Sequence, residues 1–476
     1  MLFDEGKTLF AAGDGDLRDL GDLGDLGESS LGGRLRAAVR AGDAEAVRDL
    51  LDEGADPDTR DADGLPLLCA AVAAYDGPVA QALVEGGADP DRELPDGTTP
   101  LWRAVDGGSL AVFSAVLGEE PRLRLPEAAR ERLLALARSW YETGAAEELR
   151  RRTGASGPAA TVRVQDDEYR RVDQVSLGGL AVRAGHGAVL TSLEWAFRIL
   201  TPVDELVARA VRHADEDHVD WSEVCWTLTR RRSFETWSAV VAQRHAPDRV
   251  SRRFVVDYLR TRGLVDSSRY YERKEGELLA AWVAEETDAA ILAQVLEMFA
   301  WHDRPDEEAV GLRHAAHPDA RVRREVPYVL CADYLPHTPA ARAALRTLMG
   351  DPDPEVRLAA CTASTRDADL LPDSTRTLLA LTGAPEAGVR VAAAAELSRP
   401  RDRAPADAVA DGLAALLGDD SQLVRLEAAY GLALRDDPRT AEAIERVGPL
   451  GDGFEHDHRA GELWQWKWRK AHPADE

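Results

Sequence analysis

The chain has 476 residues, too many for one compact core unless that core grows by repetition. Its formal charge of −27 disfavours a generic binder of nucleic acid or of an anionic membrane surface, and no apolar run approaches the ~18 residues of a membrane span. Cys69, Cys225, Cys331 and Cys361 are scattered without a CxxC pair, which argues against a zinc ribbon or redox dithiol and fits small core residues in a reducing compartment.

The opening MLFDEGKTLF is acidic and lacks the basic and long apolar regions of a secretion signal, so the chain is expected to be soluble and cytoplasmic. Residues 1–33, with the tract GDLRDLGDLGDLGESS, hold too much glycine for a stable helix and read as a flexible leader or an N-terminal cap. Acidic residues outnumber basic ones 26 to 9 over residues 1–120; the balance is 24 to 27 over 121–280 and 35 to 22 thereafter. Lys7, Lys274, Lys467 and Lys470 are the only lysines, an arginine bias that suggests a GC-rich bacterial coding sequence.

Leu35–Gly54, LRAAVRAGDAEAVRDLLDEG, predicts two short amphipathic helices with a tight turn at Gly42-Asp43. Next, GADPDTRDADG (54–64) and GADPDRELPDG (87–97) share a Gly-Ala-Asp-Pro-Asp start and an Asp-Gly end at an offset of 33 residues. Such a period marks units that bury their apolar faces only by stacking on copies of themselves. In the second unit, GLPLLCAAVAAYDGPVAQALVEGG, a leucine is read at the capping-threonine position, and one extra residue between its helices restores the register. In the third, GTTPLWRAVDGGSLAVFSAVLG, Thr99 can cap a helix and Pro100 fits its first position. By motif and period this stretch resembles the ankyrin repeat. The resemblance implies that turn tips and inner helices face a concave binding surface. It therefore points to Arg60, Asp61, Asp63, Arg92, Glu93, Asp96, Trp102 and Arg103 as contact residues, Trp and Arg being the side chains that dominate interfaces.

Leu125–Arg152 predicts two capping helices that close an ankyrin-like block over 34–152, and TGASGPAAT (153–161) reads as a linker. AVRAG at 181–185 repeats AVRAG at 38–42, so another ankyrin-like hairpin is expected there, within irregular helical repeats over 162–300. From 301 to 450 a second repeat takes over: HPDARVRREV, DPDPEVRLAA, APEAGVRVAA and DDSQLVRLEA place Val-Arg at 322/323, 356/357, 389/390 and 424/425. Proline ends one helix and fixes the turn, while valine and the pairs Ala359-Ala360, Ala392-Ala393 and Ala428-Ala429 let helices approach closely. Asp319, Asp353 and Glu386 stand four residues before Arg323, Arg357 and Arg390, a spacing for local ion pairs. This block resembles the bacterial HEAT repeat, which implies an Asp–Arg ladder between successive units; Ser421, at the equivalent place in the fourth, is expected to interrupt it. In the tail, 451–476, Trp464, Trp466 and Trp468 are expected to cover the apolar end of the array, the alternative being a tail that docks a partner. On a helix Trp464 and Trp468 align while Trp466 points elsewhere.

The expected fold is all-α: an α-solenoid of stacked helical hairpins, ankyrin-like at the N-terminus and HEAT-like at the C-terminus. No phosphate-binding loop, nucleophile elbow or HExxH motif is present, and of the close histidine pairs only His314/His317 has helical ligand spacing. No catalytic residue, cofactor or metal is therefore expected, and the function read is a non-catalytic scaffold for another protein with a basic surface. The alternative is a nucleic-acid enzyme. Trp195, Trp221, Trp226, Trp237, Trp282 and Trp301 gather in the middle segment with Arg230-Arg231-Arg232, and aromatics beside arginines can stack on bases and neutralise phosphates. Some HEAT-like bacterial proteins are DNA glycosylases for alkylated bases, and Asp220 beside Trp221 is the nearest counterpart here of their cleft.

Overall fold

The computed structural model describes residues 30–265, 269–302, 304–331, 337–399, 406–451, 453–454 and 456–472. The glycine-rich leader lies almost wholly outside them. The chain is mostly helical and divides into two compact units, Met1–Val265 and Asp266–Glu476. Among the described residues no helix is long and apolar enough to cross a membrane.

The first unit opens with three helix pairs: Leu31–Ala41 with Ala44–Asp52, Leu67–Ala73 with Gly77–Glu85, and Pro100–Gly107 with Leu110–Leu117. The turn inside each pair places one residue in the left-handed region, Gly42 (φ 71°), Tyr75 (φ 57°) and Gly108 (φ 71°). The next residue, Asp43, Asp76 or Ser109, caps the second helix by accepting a backbone N–H. These turns repeat at 33 residues, so the second unit holds no extra residue. Its first helix starts in register too, Leu67 standing 33 residues before Pro100. Pro66, not Leu65, stands where Thr99 stands in the third unit, and it offers no side-chain cap. The first pair begins at Leu31 rather than Leu35 because the Ser30 hydroxyl accepts the Gly33 N–H.

After helices Glu127–Thr143 and Ala145–Thr153 the all-α reading fails. Strands β1 (Ala160–Gln165), β2 (Arg171–Leu177) and β3 (Leu180–Arg183) form an antiparallel sheet in that order. Gly178 (φ 61°) and Gly179 (φ 84°) make the two-residue turn between β2 and β3, both left-handed, as the twist of a hairpin demands. The second AVRAG is thus the end of a strand and a bend, whereas the first ends a helix. The stretch read as a linker already enters β1 at Ala160, and the region read as irregular helical repeats opens with this sheet before helices resume at His186. Val175, Leu177 and Val182 pack against Trp140 and Leu149, while Val172 joins the core of the helix pairs.

A buried carboxylate ties the sheet to the third helix pair. Asp166, in the β1–β2 loop, accepts hydrogen bonds from the Ser109 hydroxyl (2.6 Å), the Ala111 N–H (2.9 Å) and Arg183 (2.7 Å). Gly108 sits at the same corner, where a Cβ would stand 2.0 Å from the Arg183 carbonyl oxygen. Tyr75 reaches it from the second pair. Its hydroxyl lies 3.2 Å from the Gly107 carbonyl oxygen and 3.3 Å from that of Ala181, and the Arg183 guanidinium stands 4.4 Å from its ring centre. These contacts offset the cost of a left-handed tyrosine.

In the second unit, helices Ala289–Phe299, Ala320–Leu330, Pro354–Ala363, Ala387–Ser398, Gln422–Leu434 and His458–Ala471 each pack on the next. One apolar core runs from Val326 to Trp466, and Val322, Val356, Val389 and Val424 are all buried. In the first three units the arginine after the valine forms no side-chain bond with the acidic residue four places back, and the four arginines share another contact. The Nη1 of each donates to two loop carbonyls five and six places back: Pro318 and His317, Pro352 and Asp351, Pro385 and Ala384, Asp420 and Asp419. Asp319 and Asp353 act as helix caps instead. Bidentate pairs do join successive units, Arg323 with Asp351 (2.7 and 2.9 Å) and Arg390 with Asp419 (2.7 and 2.8 Å). This ladder reaches the fourth unit despite Ser421, the expected interruption, and skips the junction at Arg357, because Ala384 occupies the place of Asp351 and Asp419. At the end, Trp466 is buried and donates to Asp436 (2.9 Å), while Trp464 and Trp468 are exposed.

Val356→Asp buries an unpaired charge and is expected to destabilise the second unit by several kcal/mol; a variant as heat-stable as the parent would mean that Val356 faces outward. The bond from Arg390 holds the Asp419 carboxyl down at about 2. A lowered carboxylate pKa adds stability that is present above the unfolded value, near ~4, and lost as pH falls through the folded one. Asp419→Asn is therefore expected to lower the thermal midpoint at neutral pH, with parent and variant converging as an acid series descends from about pH 4 to about pH 2.

Candidate functional site

The two fingers are the same short hairpin built twice. In the first, Asp61 N–H donates to the Leu65 carbonyl (2.8 Å) and Gly64 N–H to that of Asp61 (3.2 Å); in the second, Leu94 donates to Thr98 (2.8 Å) and Gly97 to Leu94 (2.9 Å). Gly64 (φ 78°) and Gly97 (φ 76°) take the left-handed residue that each turn requires. Thr99 then caps helix Pro100–Gly107 by accepting the Trp102 N–H at 3.0 Å, with Pro100 at its first position, as the sequence implied.

The eight expected contact residues divide into two groups. Arg60, Asp63, Glu93 and Asp96 are exposed, whereas Asp61, Arg92, Trp102 and Arg103 are half-buried. Several are engaged within the fold. Asp61 accepts the N–H groups of Asp63 and Leu65, both at 2.9 Å. Arg60 donates to the Gly64 carbonyl (2.7 Å). Arg92 pairs with Asp58 of the preceding finger. Asp96 accepts the Thr98 hydroxyl (2.6 Å) and an Arg103 N–H (2.9 Å), and it is held at about 2, chiefly by the Thr98 hydroxyl. Trp102 packs its ring against the core of the helix pairs. Asp96, Trp102 and Arg103 thus form one group at the second finger, while Arg60 and Asp61 line a groove of about 690 Å³ with Arg36, Asp56, Asp58 and Arg92.

Sequence reasoning passed over Asp58 and Asp91, the second aspartate of each Gly-Ala-Asp-Pro-Asp motif. Asp58 receives Arg92, and Asp91 pairs with Arg124 at 3.0 Å, so each finger is tied to a later segment of the chain. Their identical place in the two motifs was the available signal.

The alternative cleft does not come together. Adjacent residues on a helix point about 100° apart. Accordingly Asp220 turns inward and accepts the Ala188 N–H (2.6 Å), while the Trp221 indole donates to Asp257 (3.2 Å) in a separate group. Trp221, Trp237 and Trp282 are buried, and Trp226 and Trp301 are exposed. Arg231 donates to the Thr201 carbonyl (2.8 Å).

Stacked helix pairs joined by projecting hairpins define a helical-repeat protein. A family model for ankyrin repeats matches residues 35–124 in three copies, so this segment consists of ankyrin repeats and points to binding of another protein. No curated protein matches the chain. Among solved structures, the X-ray structure of YibA from E. coli is similar to it at 17% identity, over 52% of this chain and 93% of that one, with a TM-score of 0.38.

Thr99→Ala removes the cap on the helix that carries Trp102. The expected loss is about 1 kcal/mol, measured as a lower urea midpoint of the first unit at unchanged slope; an unchanged midpoint would show that water replaces the hydroxyl without cost.

Proposed function

We propose that this protein is a non-catalytic scaffold that holds another protein against the finger tips and inner helices of its ankyrin repeats. The observation that carries this reading is the charge of the fingers. Each has four acidic residues and one arginine, and the second arginine is already neutralised by Asp58. Asp63 and Glu93 stand exposed on them, and Trp102, on the following inner helix, leaves its indole N–H without a partner among the described residues. Acidic turns flanking an aromatic anchor favour a partner with a basic surface, whose association weakens as salt rises.

The second unit is read as a HEAT-like array, an α-solenoid like the ankyrin stack at the start of the first unit. The buried Val-Arg frame, the repeated clamp on loop carbonyls and the inter-unit pairs support this. On this reading the protein works in the cytoplasm of a bacterium, without cofactor, nucleic acid or membrane.

The test is capture from extracts of the source organism by the immobilised full chain, followed by mass spectrometry and an affinity measurement on the captured protein. Trp102→Ala and the pair Asp63→Arg with Glu93→Arg are expected to weaken binding about tenfold or more while leaving the thermal midpoint in place. Affinity should also fall from low to high salt. A partner retained equally by all variants would remove this face from the reading, and salt-independent affinity would remove the basic partner.

A further inference from the structure

Outside the repeats, one cluster of side chains combines metal-ligand chemistry with buried atoms that lack hydrogen-bond partners. His213 lies in the turn after helix Val203–Val211, and His218 caps helix Val219–Arg230, on which Asp220 sits. Five residues separate the histidines, a spacing that no helix would bring together, so helical periodicity does not reveal the pair. The loop brings them together instead. Ala214 takes a left-handed conformation (φ 50°), His218 N–H donates to the Asp215 carbonyl (3.2 Å), and the Asp217 carbonyl accepts the Arg171 N–H of β2 (3.0 Å). Arg163 of β1 pairs with Asp215. As a result the two imidazoles stack, with ring centres 3.9 Å apart.

Asp220 faces them from the helix. Its Oδ1 accepts the Ala188 N–H, but its Oδ2 has no hydrogen-bond partner although the side chain is only 1% exposed. The His218 side chain is wholly shut from solvent. A charged oxygen with no hydrogen bond at that depth is costly, and a cation shared with the two imidazoles is the obvious remedy. His213 Nε2 stands 3.5 Å from Oδ2 and His218 Nδ1 3.9 Å from it, and all three ligand atoms lie within 4.8 Å of one another. Ligands about 2.1 Å from a tetrahedral zinc stand roughly 3.4 Å apart.

We propose that His213, His218 and Asp220 bind one divalent cation of the zinc class, His213 through Nε2, His218 through Nδ1 and Asp220 through Oδ2. Two adjustments accompany binding. His213 turns off the stack so that its in-plane lone pair converges with the others, which its solvent-exposed edge permits. His218 Nδ1 gives up the Asp220 N–H it now accepts at 3.1 Å and takes a metal–nitrogen bond in exchange. The exposed side of His213 leaves the fourth position to water, so the cation has an entry path. Two imidazoles and one carboxylate are a donor set suited to zinc or cobalt and poorly matched to calcium or magnesium, which prefer all-oxygen shells.

The test uses the full chain after removal of metal by chelation. Co2+ titration should give visible ligand-field bands saturating at one equivalent per chain, Zn2+ should displace it, and Zn2+ should raise the thermal midpoint of the parent. His213→Ala, at an exposed position, should fold as the parent does and bind at least about tenfold more weakly. Asp220→Asn keeps an oxygen for the Ala188 N–H and should show the same loss. His314→Ala should bind as the parent does. Absence of the bands, bands retained in His213→Ala, or a thiolate charge-transfer band placing the cobalt on a cysteine would each overturn the assignment.

Discussion

A carboxylate with no access to water must be met by donors, and Asp166 is met from three directions. The Ser109 hydroxyl, the first turn of helix Leu110–Leu117 and the Arg183 guanidinium converge on it. Two partners belong to the start of the last ankyrin helix and the third to β3, so the end of the ankyrin stack, the β1–β2 loop and β3 are fixed relative to one another by one charge. The helix N-terminus adds its own partial positive charge to the site. Around that point lie the close approach of Gly108 to Arg183 and the Tyr75 ring beneath the same guanidinium. Where a longer ankyrin array would go on stacking, this chain covers the third repeat with two helices and a sheet.

What could be read in the sequence was what repeats. The 33-residue period, the Thr99 cap, Pro100 at its helix start and the buried valines of the second unit all recur or obey a local rule, and all stand where the pattern places them. The failures are equally local in origin. AVRAG ends a helix at 38–42 and a strand at 181–185, because five residues of mixed propensity take the structure their surroundings impose. The Gly178-Gly179 pair is the local hairpin signal in this stretch, beside the letter-for-letter echo of an earlier helix. The role of Asp166 left no local trace, since its partners come from chain segments brought together only by folding, and the stacking of His213 on His218 is set by a loop conformation that helical spacing does not describe. Of the candidate surface, the turns and the inner helix were legible. Which charges remain available to a partner was not, because Arg92 and Arg103 are claimed by Asp58 and Asp96 across the fold.

The arginines of the second unit show how one residue type can serve two purposes at once. Each clamps the carbonyls of its own loop with one nitrogen, which satisfies acceptors that the turn leaves without helical partners. At two junctions the remaining nitrogens reach an aspartate of the next unit. The clamp is present in all four units and the inter-unit pair in only some of them, so the local task is the constant one. Spacing along the helix suggests the reverse, an arginine held by the acid on its own helix. Asp319 and Asp353 instead meet the free N–H groups at their helix starts, which lie closer to them.

Tyr75 carries a consequence for how such a chain can change over generations. The equivalent turns use glycine, and glycine would be the easier residue there too, but the tyrosine ring lies under Arg183 and its hydroxyl spans to Gly107 and Ala181. The residue is therefore maintained by a sheet more than a hundred positions away. A homologue without the sheet would be free to carry glycine at this turn, while one that keeps it would need an aromatic partner for the arginine. The two sites would then vary together across a family, and their joint pattern would mark which ankyrin-containing chains end their stack in this way.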